Sequence, residues 1–353
     1  MTPITFVVAG DPEQRTGGYR YDARIVAGLR ELGHPVTVAG LEGRFPEPDA
    51  RAARALERAL DACADGACVI VDGLVLGGLA ETARAHADRL RLIALVHHPL
   101  ADETGLTAAA SARLLADERA ALVVARAVVV TSGFTARRLV ELDLAAAPPR
   151  VIEPGTDPAP VARGSDGPGC RLLCVATVTP RKGHAVLLDA LARLADRDWH
   201  CDVVGSLDRE PAHAARIRAR IDTLGLGARV RLHGDCNERE LAAAYDRADL
   251  FVLASHYEGY GMVVTEALAR GLPLVTTNGG ALADTVPARA ARTAAPGDVA
   301  ALAAALGSLL DDPAALAAVR RGALAERERL RPWRTAAAEF SAMLEAIADD
   351  VPA

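Results

Sequence analysis

The chain has 353 residues, 51% hydrophobic and 24% charged, which is enough for two globular domains and too apolar for a mainly disordered chain. The formal net charge is −6, and residues 1–160 carry 17 Arg against 21 acidic residues, so neither nucleic acid nor an anionic lipid surface is an expected partner. No apolar run approaches the ~18–20 residues needed to cross a bilayer, and the start Met1–Gly10 has no basic residue ahead of its apolar run as a signal peptide would, so a cytoplasmic protein is expected.

Short β-branched runs alternate with longer Ala/Leu/Arg stretches of helical period, the pattern of βαβ units around parallel sheets, and they do so twice. The first pass predicts strand Ile4–Ala9, helix Tyr21–Leu32 ending at Gly33, strand Val36–Ala39, helix Ala50–Ala64 and strand Cys68–Val71. Helix Leu79–Asp88, strand Leu92–Val96, helix Ala108–Ala125 and strand Ala127–Thr131 follow. Between Ala145 and Gly169 lie six prolines and four glycines, the densest group of breakers in the chain, which places a boundary between a first domain, 1–160, and a second, 161–332.

The second pass predicts strand Arg171–Thr177, helix His184–Ala195, strand His200–Val204, helix Glu210–Leu224, strand Val230–His233, helix Glu238–Ala248 and strand Leu250–Ala254. Helix Met262–Arg270, strand Leu274–Thr277 and helices Val299–Leu310 and Pro313–Glu326 complete it. The tail 333–353 is amphipathic, with Phe340, Met343, Leu344 and Ile347 on one side, and is expected to pack back on the first domain. The expected architecture is α/β: two doubly wound, Rossmann-like domains facing each other across a cleft.

Six cysteines, sparsely and irregularly spaced, match neither a disulfide framework nor a zinc site, and read as free, mostly buried thiols. Of the 40 basic residues, 39 are Arg and one is Lys182. A compact ammonium kept where guanidinium stands everywhere else points to a geometric need.

Lys182 stands beside Arg181 in a loop between a predicted strand and helix. Two cations near a helix N-terminus form an anion site suited to phosphate, although a basic pair in a turn is more often simply solvated. In Ser255-His256-Tyr257-Glu258-Gly259-Tyr260-Gly261, Glu258 lies in a loop, while Glu266 lies one to one and a half turns into the next helix. Gly259 and Gly261 let the backbone approach a ligand, and a helical carboxylate can accept from both hydroxyls of a ribose. The bland alternative is a helix cap for Glu258 and a solvated Glu266.

In the first domain, Gly17-Gly18 falls between the first strand and helix, where open α/β sheets bind ligands, but the segment does not fit G-x-G-x-x-G. His97-His98 ends a strand at the same sheet edge. One imidazole is expected to face the cleft, and no metal, for want of a carboxylate ligand set nearby. Asp196-Arg197-Asp198 reads as a cap and turn rather than a metal motif.

Together these segments resemble the retaining glycosyltransferases of family 4, with the GT-B fold, over nearly the whole chain. The E-x7-E pair Glu258/Glu266 with its glycines is the most specific match, followed by Arg181-Lys182; Gly17-Gly18, Val130–Thr135 and Glu153–Asp157 fit in order and spacing. Two features depart from the family: Asp284 stands where relatives often have Glu, and Ala291–Ala295 lacks the usual apolar strand.

The resemblance implies hexosyl transfer from a UDP- or GDP-sugar to a hydroxyl acceptor by front-face attack, with no metal, no further cofactor and no protein nucleophile. By it, Arg181 and Lys182 hold the diphosphate, Glu266 the ribose, and Glu258 with the Gly259, Tyr260 and Gly261 amides the sugar. Gly17 and Gly18 close on the phosphates, and His97, ahead of His98, touches the donor sugar. The acidic first domain points to a small-molecule acceptor. A non-catalytic nucleotide-sugar-binding protein and a sugar-nucleotide epimerase on the same fold are the rival readings.

Overall fold

The computed structural model describes residues 3–145 and 147–349. Met1 and Thr2, read as part of a start without a signal peptide, and 350–353 of the expected tail lie outside the described residues. The chain forms two compact units, one taking the chain to Gly155 and again from Pro332, the other Thr156–Arg331.

The first unit runs β1 (Ile4–Ala9), α1 (Gly17–Glu31), β2 (Val36–Leu41), α2 (Ala50–Asp61), β3 (Cys68–Asp72), α3 (Gly73–Leu76), α4 (Ala80–Arg84), β4 (Arg91–Val96), α5 (Ala108–Leu122), β5 (Ala127–Val130), α6 (Gly133–Glu141) and β6 (Arg150–Val151). The strands form one parallel sheet in the order β2-β1-β3-β4-β5-β6. All five residues of β3 are buried, as expected for a parallel strand covered on both faces.

The second unit runs β7 (Cys170–Val175), a 3₁₀ turn at Pro180–Lys182, α7 (His184–Ala192), β8 (Trp199–Val204), α8 (Pro211–Thr223), β9 (Val230–Gly234), α9 (Glu238–Asp246) and β10 (Leu250–Leu253). It continues through α10 (Met262–Ala269), β11 (Leu274–Thr277), α11 (Leu282–Thr285), β12 (Ala291–Ala294), α12 (Val299–Leu310) and α13 (Pro313–Arg327). Its sheet is also parallel, in the order β12-β11-β10-β7-β8-β9. The final helix, α14 (Trp333–Asp349), packs on α1 in the first unit, where a Cβ on Gly28 would sit 2.4 Å from that of Ala337.

The two parallel sheets are the Rossmann-like pair the sequence predicts, and several local readings are corrected. Helix α1 starts at Gly17, so Gly17 and Gly18 are its first turn rather than a loop before it. Ala291–Ala294 is a strand despite its composition: it pairs with β11 along its length, and its two end residues are buried while the middle pair faces out, as at a sheet edge. Strand β6 and helices α3, α6 and α11 went unpredicted: β6, α3 and α11 have four residues or fewer, too few to show a period, while α6 carries an amphipathic pattern that the reading missed. All six cysteines are free, but only Cys68, Cys174 and Cys201 are buried.

Among the described residues no single helix is long and apolar enough to cross a membrane.

Candidate functional site

In each sheet the strand order reverses once, between β1 and β3 and between β7 and β10. Crossovers leave such a point in opposite directions, opening a crevice outside the carboxyl ends of the strands. The residues singled out from sequence lie on the segments that follow β7 and β10 in the second unit and β1 and β4 in the first.

In the second unit, the loop after β7 carries Arg181 and Lys182, and the loop after β10 carries Ser255–Gly261. Lys182 Nζ lies 2.7 Å from both Glu258 oxygens, Ser255 Oγ donates to Glu258 Oε1 at 2.6 Å, and Arg181 stands 3.6 Å from Glu258 Oε2 while donating to the Tyr257 carbonyl. Glu258 is buried; burial pushes its carboxyl up, but Lys182 and then Arg181 outweigh this and hold it below the usual carboxylate range. Glu258 thus faces both cations. The helix-cap alternative for Glu258 falls away, since α10 is capped by Gly261 with no side-chain bond.

Two backbone approaches fix this geometry. Gly183 has φ +64, and a Cβ there would sit 2.0 Å from the Ala254 carbonyl, so only glycine lets the Lys182 loop lie against the end of β10; the His256 amide then donates to the Arg181 carbonyl at 2.7 Å. At Gly280, φ +63, a Cβ would stand 2.4 Å from the Glu258 carbonyl, and the Ala281 amide donates to that carbonyl. The adjacent glycines Gly279-Gly280 after β11, the turn that precedes Asp284, are the sequence signal for this support.

Gly259 and Tyr260 complete the loop leading to the cap, and the Tyr260 carbonyl accepts from Thr285 Oγ1, one residue past Asp284 on α11. Glu266 is the fifth residue of α10, half-buried, and accepts from Tyr245 Oη at 3.2 Å; Arg270 lies 4.2 Å over the Tyr245 ring. Tyr245 was not anticipated.

A cavity of about 600 Å³ lies at the opposite, amino-terminal edge of this sheet, lined by Cys170, Arg197, Asp198 and Asp249 among others, and none of the residues above lines it. There Arg197 pairs with Asp196 and Asp311, consistent with a turn. The chemistry-bearing groups are at the carboxyl edge, and the site is assigned there.

In the first unit, Gly17 and Gly18 begin α1 after Thr16, which makes no side-chain cap bond. A Cβ on Gly17 would meet nothing within 4 Å, whereas one on Gly18 would meet the His97 ring at 3.1 Å. His97 Nε2 lies 3.1 Å from Asp22 Oδ1, and the ring meets Tyr21 edge-on. An imidazole nitrogen and one oxygen each of Asp22 and Asp72 lie within 4.8 Å of one another, and both aspartates are buried.

His98 instead stands 3.5 Å from Glu103. The missing carboxylate set was the ground for excluding a metal at His97-His98, and that ground is corrected: Asp22 and Asp72 supply carboxylates. One signal was available for Asp22, which falls on the Ile25/Val26/Leu29 stripe of α1, an acidic residue at a core position.

Residues 162–327 match the family described as "Glycosyl transferases group 1". A glycogen synthase of Mycobacterium tuberculosis is 48% identical over 111 residues, 30% of this chain and 26% of the relative, so the chain spans about a quarter of that enzyme. An MMP α-(1→4)-mannosyltransferase of Mycolicibacterium hassiacum is 28% identical over 318 residues, 85% of this chain and 75% of the relative. Among solved structures, a sucrose-phosphate synthase from Thermosynechococcus elongatus shares the fold with TM-score 0.84 at 21% identity, covering 98% of this chain and 99% of that one.

Proposed function

We propose that this chain, whose residues 162–327 match the group 1 glycosyltransferases and whose fold is GT-B, moves a hexosyl group from a UDP- or GDP-sugar to a hydroxyl of a small-molecule acceptor, with retention of configuration and without a metal. The observation that carries the reading is the Arg181–Lys182–Glu258 cluster at the strand-order reversal of the second unit, followed within one helix by Glu266. The mannosyltransferase relative, of which the chain spans three quarters, supports a hexosyl donor.

Glycosyl transfer builds positive charge on the sugar carbon and negative charge on the departing diphosphate, so the main demand is for fixed positive charge where the phosphates leave. Arg181 and Lys182 supply it, their loop braced by Gly183. Glu258 keeps the ammonium in place and, with the Gly259, Tyr260 and Gly261 amides, positions the sugar. Glu266, steadied by Tyr245, accepts from the ribose hydroxyls. For the first unit, the family resemblance implies the Gly17 and Gly18 amides at the start of α1 as phosphate contacts and His97 as a contact of the donor sugar. In front-face attack the departing phosphate oxygen takes the acceptor's proton, and no protein nucleophile is assigned.

The test is a panel of nucleotide sugars screened by thermal shift, in which a donor at a hundred times its Kd adds about 2.7 kcal/mol of apparent stability, followed by product analysis with sugar acceptors. Acceptor-dependent release of nucleotide supports the reading. Isomerisation of the sugar, or binding without turnover, overturns it.

A further inference from the structure

Three side chains far apart in sequence meet at the strand-order reversal of the first unit: Asp22 from α1, Asp72 from the end of β3 and His97 from the end of β4. Both aspartates are about 96% buried, and Asp22 Oδ2 is buried with no hydrogen-bond partner. Asp72 Oδ1 already accepts from the Leu74 amide at 2.8 Å as the cap of α3. Two carboxylates in so dry a place need a counter-charge, and the imidazole between them is the group that can provide it.

We propose that Asp22 is a positioning residue for the transfer reaction: from α1 it accepts the Nε2 proton of His97 and, with Asp72 close by, fixes the ring as an imidazolium whose second N–H donates to the donor sugar. This rests on the assignment of His97 to the sugar under Proposed function.

Protonation decides what the ring can offer. With Nε2–H committed to Asp22, a neutral His97 leaves its other nitrogen as an acceptor only; the cation turns that nitrogen into a donor. Burial alone would favour the neutral ring, but the charge and hydrogen bond of Asp22, then the charge of Asp72, outweigh it and push His97 up to about 9. The same crowding moves Asp72 upward, chiefly through burial. Tyr21 on α1 presents a ring edge to His97, and the neighbouring His98 stands 3.5 Å from Glu103. Gly18, whose missing Cβ leaves room for the ring, ties the clamp to the first turn of α1.

The experiment is Asp22→Asn, which keeps the hydrogen-bond acceptor and removes the charge, read two ways. Titration of His97 by NMR in the full chain is expected to give a value well above 7, falling by about two units in the variant. The kcat/KM profile of the variant is expected to lose about tenfold or more at pH 8 and much less at pH 6, with the loss in kcat rather than KM. Asp22→Ala, which loses orientation as well as charge, is expected to lose activity at both pH values.

His97 titrating near its ordinary 6.5 in the parent chain overturns the clamp without any turnover being needed, and so separately from failure of the transferase reading, which shows as no product from the parent chain. A variant profile identical to the parent's overturns it as well. Activity of the parent abolished by a chelator and restored by a divalent ion also overturns it, because the carboxylates would then serve an ion instead of the ring.

Discussion

The Lys182 ammonium lies 2.7 Å from both oxygens of Glu258, 76 residues further along the chain. Each group is more than four-fifths buried, so neither is independent of the other: the cation proposed for the diphosphate is held in place by the carboxylate proposed for the sugar. Substitution at either position therefore acts on folding and chemistry together, and the two effects need separate readouts.

Lys182→Ala leaves a buried carboxylate with Arg181 and Ser255 as its remaining partners. We expect unfolding in urea to show a loss of about 1–3 kcal/mol, and kcat to fall about a hundredfold or more. Lys182→Arg restores charge but not the compact geometry, and is expected to recover stability more fully than turnover. Full turnover in the alanine variant would contradict the assignment.

Glu258 is held below its ordinary carboxylate value, so its contribution to stability is complete above about pH 4.5 and is lost as pH falls through its folded value. Denaturation of the parent chain between pH 3 and 7 should show this acid loss. Glu258→Gln should be less stable at pH 7 and should lack that part of the slope.

Glu118 gives the opposite sign. It is buried on α5 and accepts from the Leu100 amide, and burial first, with the nearby Asp102, pushes it up to about 8. The folded chain holds this proton where the unfolded chain has released it, so stability falls as pH rises from about 4.5 to about 8 and is level above. Glu118→Gln should stabilise the protein, by an amount growing over that window to a few kcal/mol; melting curves from pH 5 to 9 check it.

The glycines separate structure from ligand contact. Gly183→Ala forces a Cβ toward the Ala254 carbonyl at a positive φ and should cost on the order of 1–3 kcal/mol of stability. Gly17→Ala meets nothing within 4 Å, so its melting temperature should be no lower than the parent's. A fall in activity without a fall in melting temperature would then report crowding of the proposed phosphate contact.

Glu266→Ala should weaken nucleoside diphosphate binding by about tenfold or more, measured by calorimetry. Tyr245→Phe, which removes the hydroxyl donating to Glu266, should show a smaller loss of the same kind. Unchanged affinity in the alanine variant would remove Glu266 from the nucleotide site.

The two parallel sheets were readable because buried parallel strands leave dense β-branched runs, and Lys182 and the Glu258/Glu266 spacing were readable because they are local in sequence. What escaped depends on how the chain folds back on itself. Ser255 is three residues from Glu258, but its role appears only once the loop folds back; Tyr245 reaches Glu266 across 21 residues, and Asp22 reaches His97 across 75. Periodicity reports which face a residue occupies, not what stands opposite. The strand Ala291–Ala294 escaped for a different reason: its place is set by pairing with β11 rather than by its own side chains.

Helix α14 belongs with the segment that begins the chain, while Thr156–Arg331 forms a unit of its own in between. The first unit is therefore completed only after Thr156–Arg331 has been synthesised. On the ribosome, α1 keeps an uncovered face until the whole intervening unit has emerged, so a stalled or prematurely ended chain would expose that face even with its second unit intact.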